Sequence, residues 1–279
     1  MYEGFSMAGK NALITGGSRG IGLAIAKGFL ASGANVTIAS RKQENVDPAV
    51  SELGIPEKVL GVAAHVGKGE DRERMIAAAE DRFGTINVLV NNAGTNPFYG
   101  NIADSEEWAW DKTMDVNLKA PYLLSVQLGK KMMGSGGGSI INIASVAGLR
   151  ASTNQGIYSV TKCALIMLSK VLARDMGRGG VRCNAILPGL IKTELSRALW
   201  ENEDVLTRTV PAGPVNDRHV VAGQVVAHDF DRLPVGQVET VMIDLGLTVV
   251  QERHTVVVLI AAHPSYRVTA HGVGDTESQ

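Results

Sequence analysis

The chain has 279 residues, 45% of them hydrophobic and 20% charged, and a formal net charge of −1. That apolar content suffices for a large core in one or two domains, and the balanced charge, with no Lys/Arg run, argues against nucleic acid or an anionic membrane surface as partner. The expected partner is a small molecule.

The N-terminal "MYEGFSMAGKNALITGG" carries Glu3 and has no apolar signal core, and no later run approaches the ~20 apolar residues of a spanning helix. The expected location is therefore cytoplasmic. "NALIT" (11–15) reads as a strand and Ile21 to Leu30 as an amphipathic helix. Between them lies "TGGSRGIG" (15–22), which opens that helix. Gly16 permits a tight turn, Gly20 lets backbone approach a pyrophosphate, and Gly22 lets helix and strand pack closely. The spacing differs from the common GxGxxG fingerprint. "NVTIA" (35–39) is the second strand and ends in "ASRK" (39–42). An NAD site usually carries Asp or Glu there, but this chain has Ser40 and Arg41, with Lys42 and Arg19 nearby. These cations suit a 2′-phosphate through charge-assisted hydrogen bonds, so NADP(H) is favoured, with NAD(H) open.

"VLGVAA" (59–64) precedes a helical run from Glu70 to Phe83, and "INVLV" (86–90) runs into "NNAG" (91–94). A long helical region follows from Ser105 to Met133, then "SIINIA" (139–144), a helical segment from Tyr158 through Met176, and "VRCNAIL" (181–187). This alternation predicts an α/β fold: one Rossmann-type, doubly wound parallel sheet of about seven strands with helices on both faces. Cys163 and Cys183, the only cysteines, read as structural thiols in a reducing compartment. The histidines at 219, 228, 254 and 263 lie too far apart for a local metal motif, and no metal is expected.

In order along residues 9–200, "TGGSRGIG", "NNAG", Asn117 in "DVNLKAP", Ser145 in "NIASVAG", "YSVTK" with Tyr158 and Lys162, and "PGLIKT" (188–193) resemble the short-chain dehydrogenase/reductase family. "SRKQENVDPAV", "HVGKGEDRER", "NPFYG" and "PGLIKTELSRALW" look like its NADP(H)-dependent carbonyl and retinal reductases and their bacterial relatives. The resemblance implies hydride transfer between nicotinamide and a carbonyl or secondary alcohol. Tyr158 would give or take the proton, Lys162 would hold the nicotinamide ribose and lower the phenol's pKa, Ser145 would bind the substrate oxygen, and Asn117 would bind a relay water. The dinucleotide would rest on Gly16, Ser18, Arg19, Gly20, Ile21 and Gly22, then on Ser40, Arg41, Lys42, His65, Val66, Asn92, Ala93 and Gly94. Tyr158, Lys162, Pro188, Gly189, Ile191 and Thr193 would complete its site.

A lid over about 190–213 is implied, in which Leu195, Leu199 and Trp200, with Phe98, Tyr99 and Leu149, would form an apolar substrate pocket. His65 stands where the family usually has Asp. After Pro214 the family ending is only hinted at: Ala222-Gly223 to Gly236-Gln237 is short, Gln237 to Asp244 is long, and Leu245 replaces a glycine. We assign residues 1–250 to the Rossmann domain and 251–279 to an atypical tail. A homotetramer or dimer is also implied. A 3-oxoacyl-thioester reductase and an inactive nucleotide-binding scaffold remain alternatives.

Overall fold

The computed structural model describes residues 6–191, 193–201, 223–226 and 240–243, the last two segments through their strand pairing alone. Six parallel strands are linked by helices: β1 Asn11–Thr15, α1 Gly20–Ala31, β2 Asn35–Ser40, α2 Gln43–Leu53, β3 Val59–Ala63, α3 Gly69–Phe83, β4 Val88–Asn91, α4 Glu107–Met114, α5 Ala120–Gly134, β5 Gly138–Ile143, α6 Gly156–Met176 and β6 Val181–Leu187. A short α7, Arg197–Trp200, follows. The sheet order is β3-β2-β1-β4-β5-β6, so the winding direction reverses between β1 and β4. Loops leaving the carboxyl ends of those two strands must diverge, which opens a crevice for a ligand there.

Alternate strand residues point to opposite faces, and both faces are apolar because helices cover both. Ile14, Val36, Ile38 and Val90 pack with Ile25 and Phe29 of α1 and Leu53 of α2 on one side. Leu13, Leu89 and Ile140 pack with Met75 of α3, Leu124 and Leu128 of α5, and Leu172 of α6 on the other.

The sheet ends differently from a seven-strand parallel sheet. Two further strands, β7 Gly223–Val226 and β8 Thr240–Ile243, extend the edge to eight through antiparallel pairings, Ala185 with Val226 and Gly223 with Ile243, so β7 alone is reversed. The disturbed spacing between Gly223 and Asp244 is where the parallel order stops. The later part of the 190–213 lid, most of the 215–250 segment and the 251–279 tail lie outside the described residues.

The expectation that no run approaches a spanning helix needs correction. The stretch Gly156–Gly179, which contains α6, is long and apolar enough to cross a membrane by length and composition. Its Leu165, Ile166, Leu172 and Met176 are instead buried in the core, packed beside β6 and α5.

Candidate active site

The crevice is built by close backbone approach. Gly16 sits at φ +65°, and a Cβ on it would lie 2.9 Å from the Ala93 Cα. A Cβ on Gly22 would come within 2.3 Å of the Gly16 carbonyl oxygen. Nothing but glycine fits either place. Thr15 and Asn92 then fasten the β1 loop to the β4 loop. The Asn92 amide donates to the carbonyls of Thr15 (3.0 Å) and Gly16 (2.9 Å), and Thr15 Oγ1 accepts from the N–H groups of Asn92 and Ala93, both at 3.1 Å. Helix α1 begins in this turn with no side-chain cap on its first N–H groups and no acidic residue in its first turn. Its N-terminus therefore offers donors and positive dipole charge to an anion.

From there a cleft of about 570 Å³ runs past the ends of β2 and β3, lined by Gly16, Ser18, Arg19, Gly20, Ile21, Ser40, Arg41, His65, Val66, Asn92, Ala93, Gly94 and Thr193 of the expected contacts. Ser18 Oγ donates to Ser40 Oγ at 2.9 Å, holding the glycine turn to the end of β2. Arg19 and Arg41 are exposed and have no ion-pair partner among the described residues. Lys42 is different: it is not in the lining, and its ammonium lies 2.9 Å from Glu44. The reason is local, since Lys42 is the N-cap residue of α2 and its side chain meets that helix's first-turn carboxylate.

Around His65, the backbone N–H donates to Asp71 Oδ2 at 2.7 Å, and that hydrogen bond, ahead of the Arg74 guanidinium, holds the Asp71 carboxyl below its ordinary range. The Val66 carbonyl accepts from Arg72 at 2.7 Å. Val66 packs with Ala93, Val116 and Ala120 into an apolar floor suited to a flat ring.

Thr95, Asn96, Lys112, Val116 and Glu194 also line the cleft, although sequence reasoning did not single them out. Lys112 and Val116 are four apart, the helical spacing that puts two residues on one face, and this was the available signal.

Tyr158, Lys162, Ser145 and Asn117 are not in the cleft lining, but Lys162 and Asn117 stand directly behind its wall. A Cβ on Gly94 would lie 3.8 Å from Lys162 Nζ and 3.7 Å from Asn117 Oδ1, so only a glycine's width separates the cleft from the lysine. Lys162 is buried, donates to the Ile143 carbonyl at 2.7 Å, and has its Nζ 5.5 Å from the Tyr158 ring centroid. Ser145 Oγ accepts from the Ala147 N–H at 3.1 Å, and its hydroxyl acts to lower the pKa of the Tyr158 phenol.

The electrostatics differ from the sequence expectation of a depressed phenol. Burial pushes Tyr158 up to about 12, with the Ser145 hydrogen bond pulling the other way, and burial pushes Lys162 down to about 8. Desolvation disfavours whichever form is charged, so both groups move toward neutrality.

Asn117 lies in a widened π-helical turn, Asp115–Lys119, between α4 and α5, and is fully buried. Its amide nitrogen donates to the Thr95 carbonyl (2.9 Å) and Thr161 Oγ1 (3.2 Å), and its oxygen accepts from the Thr95 N–H (2.8 Å). A water-binding role therefore falls to the second lone pair of Oδ1 or to the main chain.

Pro188, Gly189 and Ile191 follow β6 but are not in the lining of this cleft. The Pro188 carbonyl accepts from the Val146 N–H at 3.1 Å, which ties their loop to the residue after Ser145. Thr193 does line the cleft, its N–H donating to Ser196 Oγ at 3.0 Å and its carbonyl accepting from the Trp200 indole at 3.1 Å. Of the six expected pocket residues only Leu195 enters the cleft lining. Leu199 and Trp200 lie in α7, while Phe98, Tyr99 and Leu149 lie outside helices and strands and away from the cleft lining. The 95–101 loop is held to the start of α6 by Asn96 Nδ2 donating to Gln155 (3.2 Å) and the Gly100 N–H donating to the Asn154 carbonyl (3.0 Å).

With this geometry in view, the comparisons with known proteins are decisive. The model of the short chain dehydrogenase family matches residues 10–204. The chain belongs to the short-chain dehydrogenase/reductase family. It is similar to dehydrogenase/reductase SDR family member 4 of Homo sapiens, 45% identical over 208 residues that cover 73% of this chain and 75% of that one. The protein of the same name from Caenorhabditis elegans is 39% identical over 196 residues, covering 69% and 75%. Among solved structures, a putative gluconate dehydrogenase from Agrobacterium tumefaciens superposes with a TM-score of 0.68 at 30% identity, over 72% of this chain and 79% of that one. Membership makes the protein an oxidoreductase acting on CH–OH groups with a nicotinamide dinucleotide. The residues present fit such a cofactor: a cradle at Gly16 and Gly22 that a Cβ would fill, an uncapped helix N-terminus, and an apolar floor at Val66, Ala93 and Val116.

Proposed function

We propose that this short-chain dehydrogenase/reductase is an NADP(H)-dependent carbonyl reductase, acting in reverse as a secondary-alcohol dehydrogenase, with Tyr158 as proton donor and acceptor. One observation carries the reading: buried Lys162, one helical turn after Tyr158, has its ammonium 5.5 Å from the Tyr158 ring and reaches the cleft wall behind Gly94. Bound NADP(H) supplies or accepts the hydride. Gly16, Gly20 and the first turn of α1 would hold its pyrophosphate, and Val66, Ala93 and Val116 its adenine. The Ser145 hydroxyl orients the substrate's carbonyl oxygen and stabilises its developing charge. Tyr158 gives that oxygen a proton, and burial favours this role because it keeps the phenol protonated until about 12. Lys162 holds ribose hydroxyls and supplies positive charge near the phenolate left behind.

NADP(H) over NAD(H) rests on Arg41 and Arg19, guanidinium groups without ion-pair partners among the described residues, in a cleft whose β2 end bears Ser40 rather than a carboxylate. A hydrophobic carbonyl is supported by Leu195, an exposed apolar side chain in the cleft lining. The same reading includes a cytoplasmic homo-oligomer. Free Cys163 and Cys183 support a reducing compartment, and exposed Tyr122, Val160, Met167 and Val171 on α5 and α6 support self-association. The test is a panel of ketones, aldehydes and a 3-oxoacyl thioester, each with NADPH and NADH. The reading expects NADPH-linked reduction of free carbonyls; preference for the thioester would assign the enzyme to fatty-acid-type chemistry instead, and preference for NADH would remove Arg41 from its role.

A further inference from the structure

Thr161 has no part in the reaction as described, yet it is fully buried and its hydroxyl is doubly engaged. Thr161 Oγ1 accepts from Asn117 Nδ2 at 3.2 Å and donates to the Tyr158 carbonyl at 2.8 Å. Asn117, in turn, grips both the N–H and the C=O of Thr95, a residue that lines the cleft. One continuous run of hydrogen bonds therefore joins the cleft wall, the π-helical turn and the catalytic helix α6.

We propose that Thr161 is a positioning residue, a latch that fixes α6 against the Asn117 turn and so sets the places of Tyr158 and Lys162 relative to the cleft. The inference rests on the assignment of Tyr158 and Lys162 made above. Other polar contacts hold α6 to the sheet and neighbouring loops, Gln155 to Asn96, Ser159 to the Ser152 N–H, Lys162 to the Ile143 carbonyl and Ser169 to Asn142, while Thr161 ties it to the Asn117 turn. The apolar contacts of Leu165, Ile166 and Leu172 set the depth of the helix, but they do not fix its rotation or its shift along its axis, because dispersion contacts have no direction. A hydrogen bond at the level of Tyr158 does fix them. Thr161→Val keeps the shape and β-branching of the side chain and deletes only the hydroxyl, which leaves an Asn117 N–H buried without an acceptor.

The test compares Thr161→Val, Thr161→Ala and Thr161→Ser with the wild type. Two measurements are made: hydrogen exchange of the 93–97 backbone in the protein without added cofactor, and kcat for carbonyl reduction beside the NADPH Kd. Thr161→Val should raise exchange at the Thr95 amide about tenfold and lower kcat about ten- to hundredfold, as small misplacements of reacting groups do, while leaving the NADPH Kd within about twofold. Thr161→Ser should restore both, and Thr161→Ala gives the same reading should the valine variant not fold. Wild-type exchange at Thr95 in both hydroxyl-free variants would overturn the latch, as would a Thr161→Ser variant as impaired as Thr161→Val. The exchange arm needs no turnover, so failure of the carbonyl-reductase reading would show separately, as a wild type that reduces no carbonyl.

Discussion

Replacing Lys162 by methionine should make the protein more stable and leave it without activity. The ammonium is buried, and its ionisation is pushed from the ordinary 10.5 down to about 8 by that burial. At about 1.4 kcal/mol per unit, the fold holds the charged form at a cost on the order of 3 kcal/mol near neutral pH. Lys162→Met removes that cost, keeps most of the stem's packing and gives up the 2.7 Å bond to the Ile143 carbonyl, which leaves a buried acceptor. That loss offsets about 1–2 kcal/mol, so the net gain is on the order of 1–2 kcal/mol, or roughly 2–8 °C in Tm for a chain of this size. The pH dependence has a definite sign. Between about 8 and 10.5 the unfolded chain binds a proton at this lysine that the folded chain has released, so wild-type stability rises with pH across that window. Thermal melts of wild type and Lys162→Met at pH 7 and pH 10 measure both effects. The variant should melt higher at pH 7 and at or below the wild type at pH 10, where the wild-type lysine has shed most of its charge cost. A variant that melts lower at pH 7, or a gap that stays constant with pH, refutes the argument that the lysine is held in a desolvated site.

Cofactor choice should hinge on Arg41. Arg41→Ala should raise the NADPH Kd about tenfold or more, in line with ~1.5–3 kcal/mol for a charged hydrogen bond, and leave NADH binding nearly unchanged in fluorescence titrations; equal losses for both would sink the 2′-phosphate contact. Gly22→Ala places a methyl 2.3 Å from the Gly16 carbonyl oxygen, whereas Gly69→Ala at the start of α3 meets nothing closer than 3.8 Å. The first should cost on the order of 1–3 kcal/mol and abolish cofactor binding, the second should be close to neutral, and similar melting temperatures for the two would contradict the packing described. The protein should run as a dimer or larger in light scattering at micromolar concentration, and a monodisperse monomer would count against the apolar α5 and α6 faces as contact surfaces.

The parts of the fold and site that could be read from sequence are those fixed by backbone geometry. Gly16 and Gly22 are legible because only glycine fits beside Ala93 and under the Gly16 carbonyl, and the β1 and β4 loops because strands at a switch point must part there. Burial was not legible. Sequence spacing puts a cation one turn from Tyr158 but does not say that both groups are desolvated, and desolvation outweighs the pairing. Nor does a motif show which way a side chain leaves its strand: Arg41 and Lys42 are neighbours, yet one lines the cleft and the other turns to Glu44. Thr95, Lys112 and Thr161 were missed because their places depend on the widened turn at Asp115–Lys119, and no single-residue pattern announces such a turn. The reading that no run approaches a spanning helix fails along α6, where a core helix is as apolar as a spanning one.

The central claim is that the Tyr158 hydroxyl carries the proton. Tyr158→Phe keeps the ring, its packing and Lys162, and removes that hydroxyl alone. NADPH should bind to the variant with a Kd within about twofold of wild type, while single-turnover reduction of a carbonyl slows about 100- to 10,000-fold, the range that general acid catalysis supplies. A variant that binds NADPH and still reduces the carbonyl at more than about a tenth of the wild-type single-turnover rate contradicts the account.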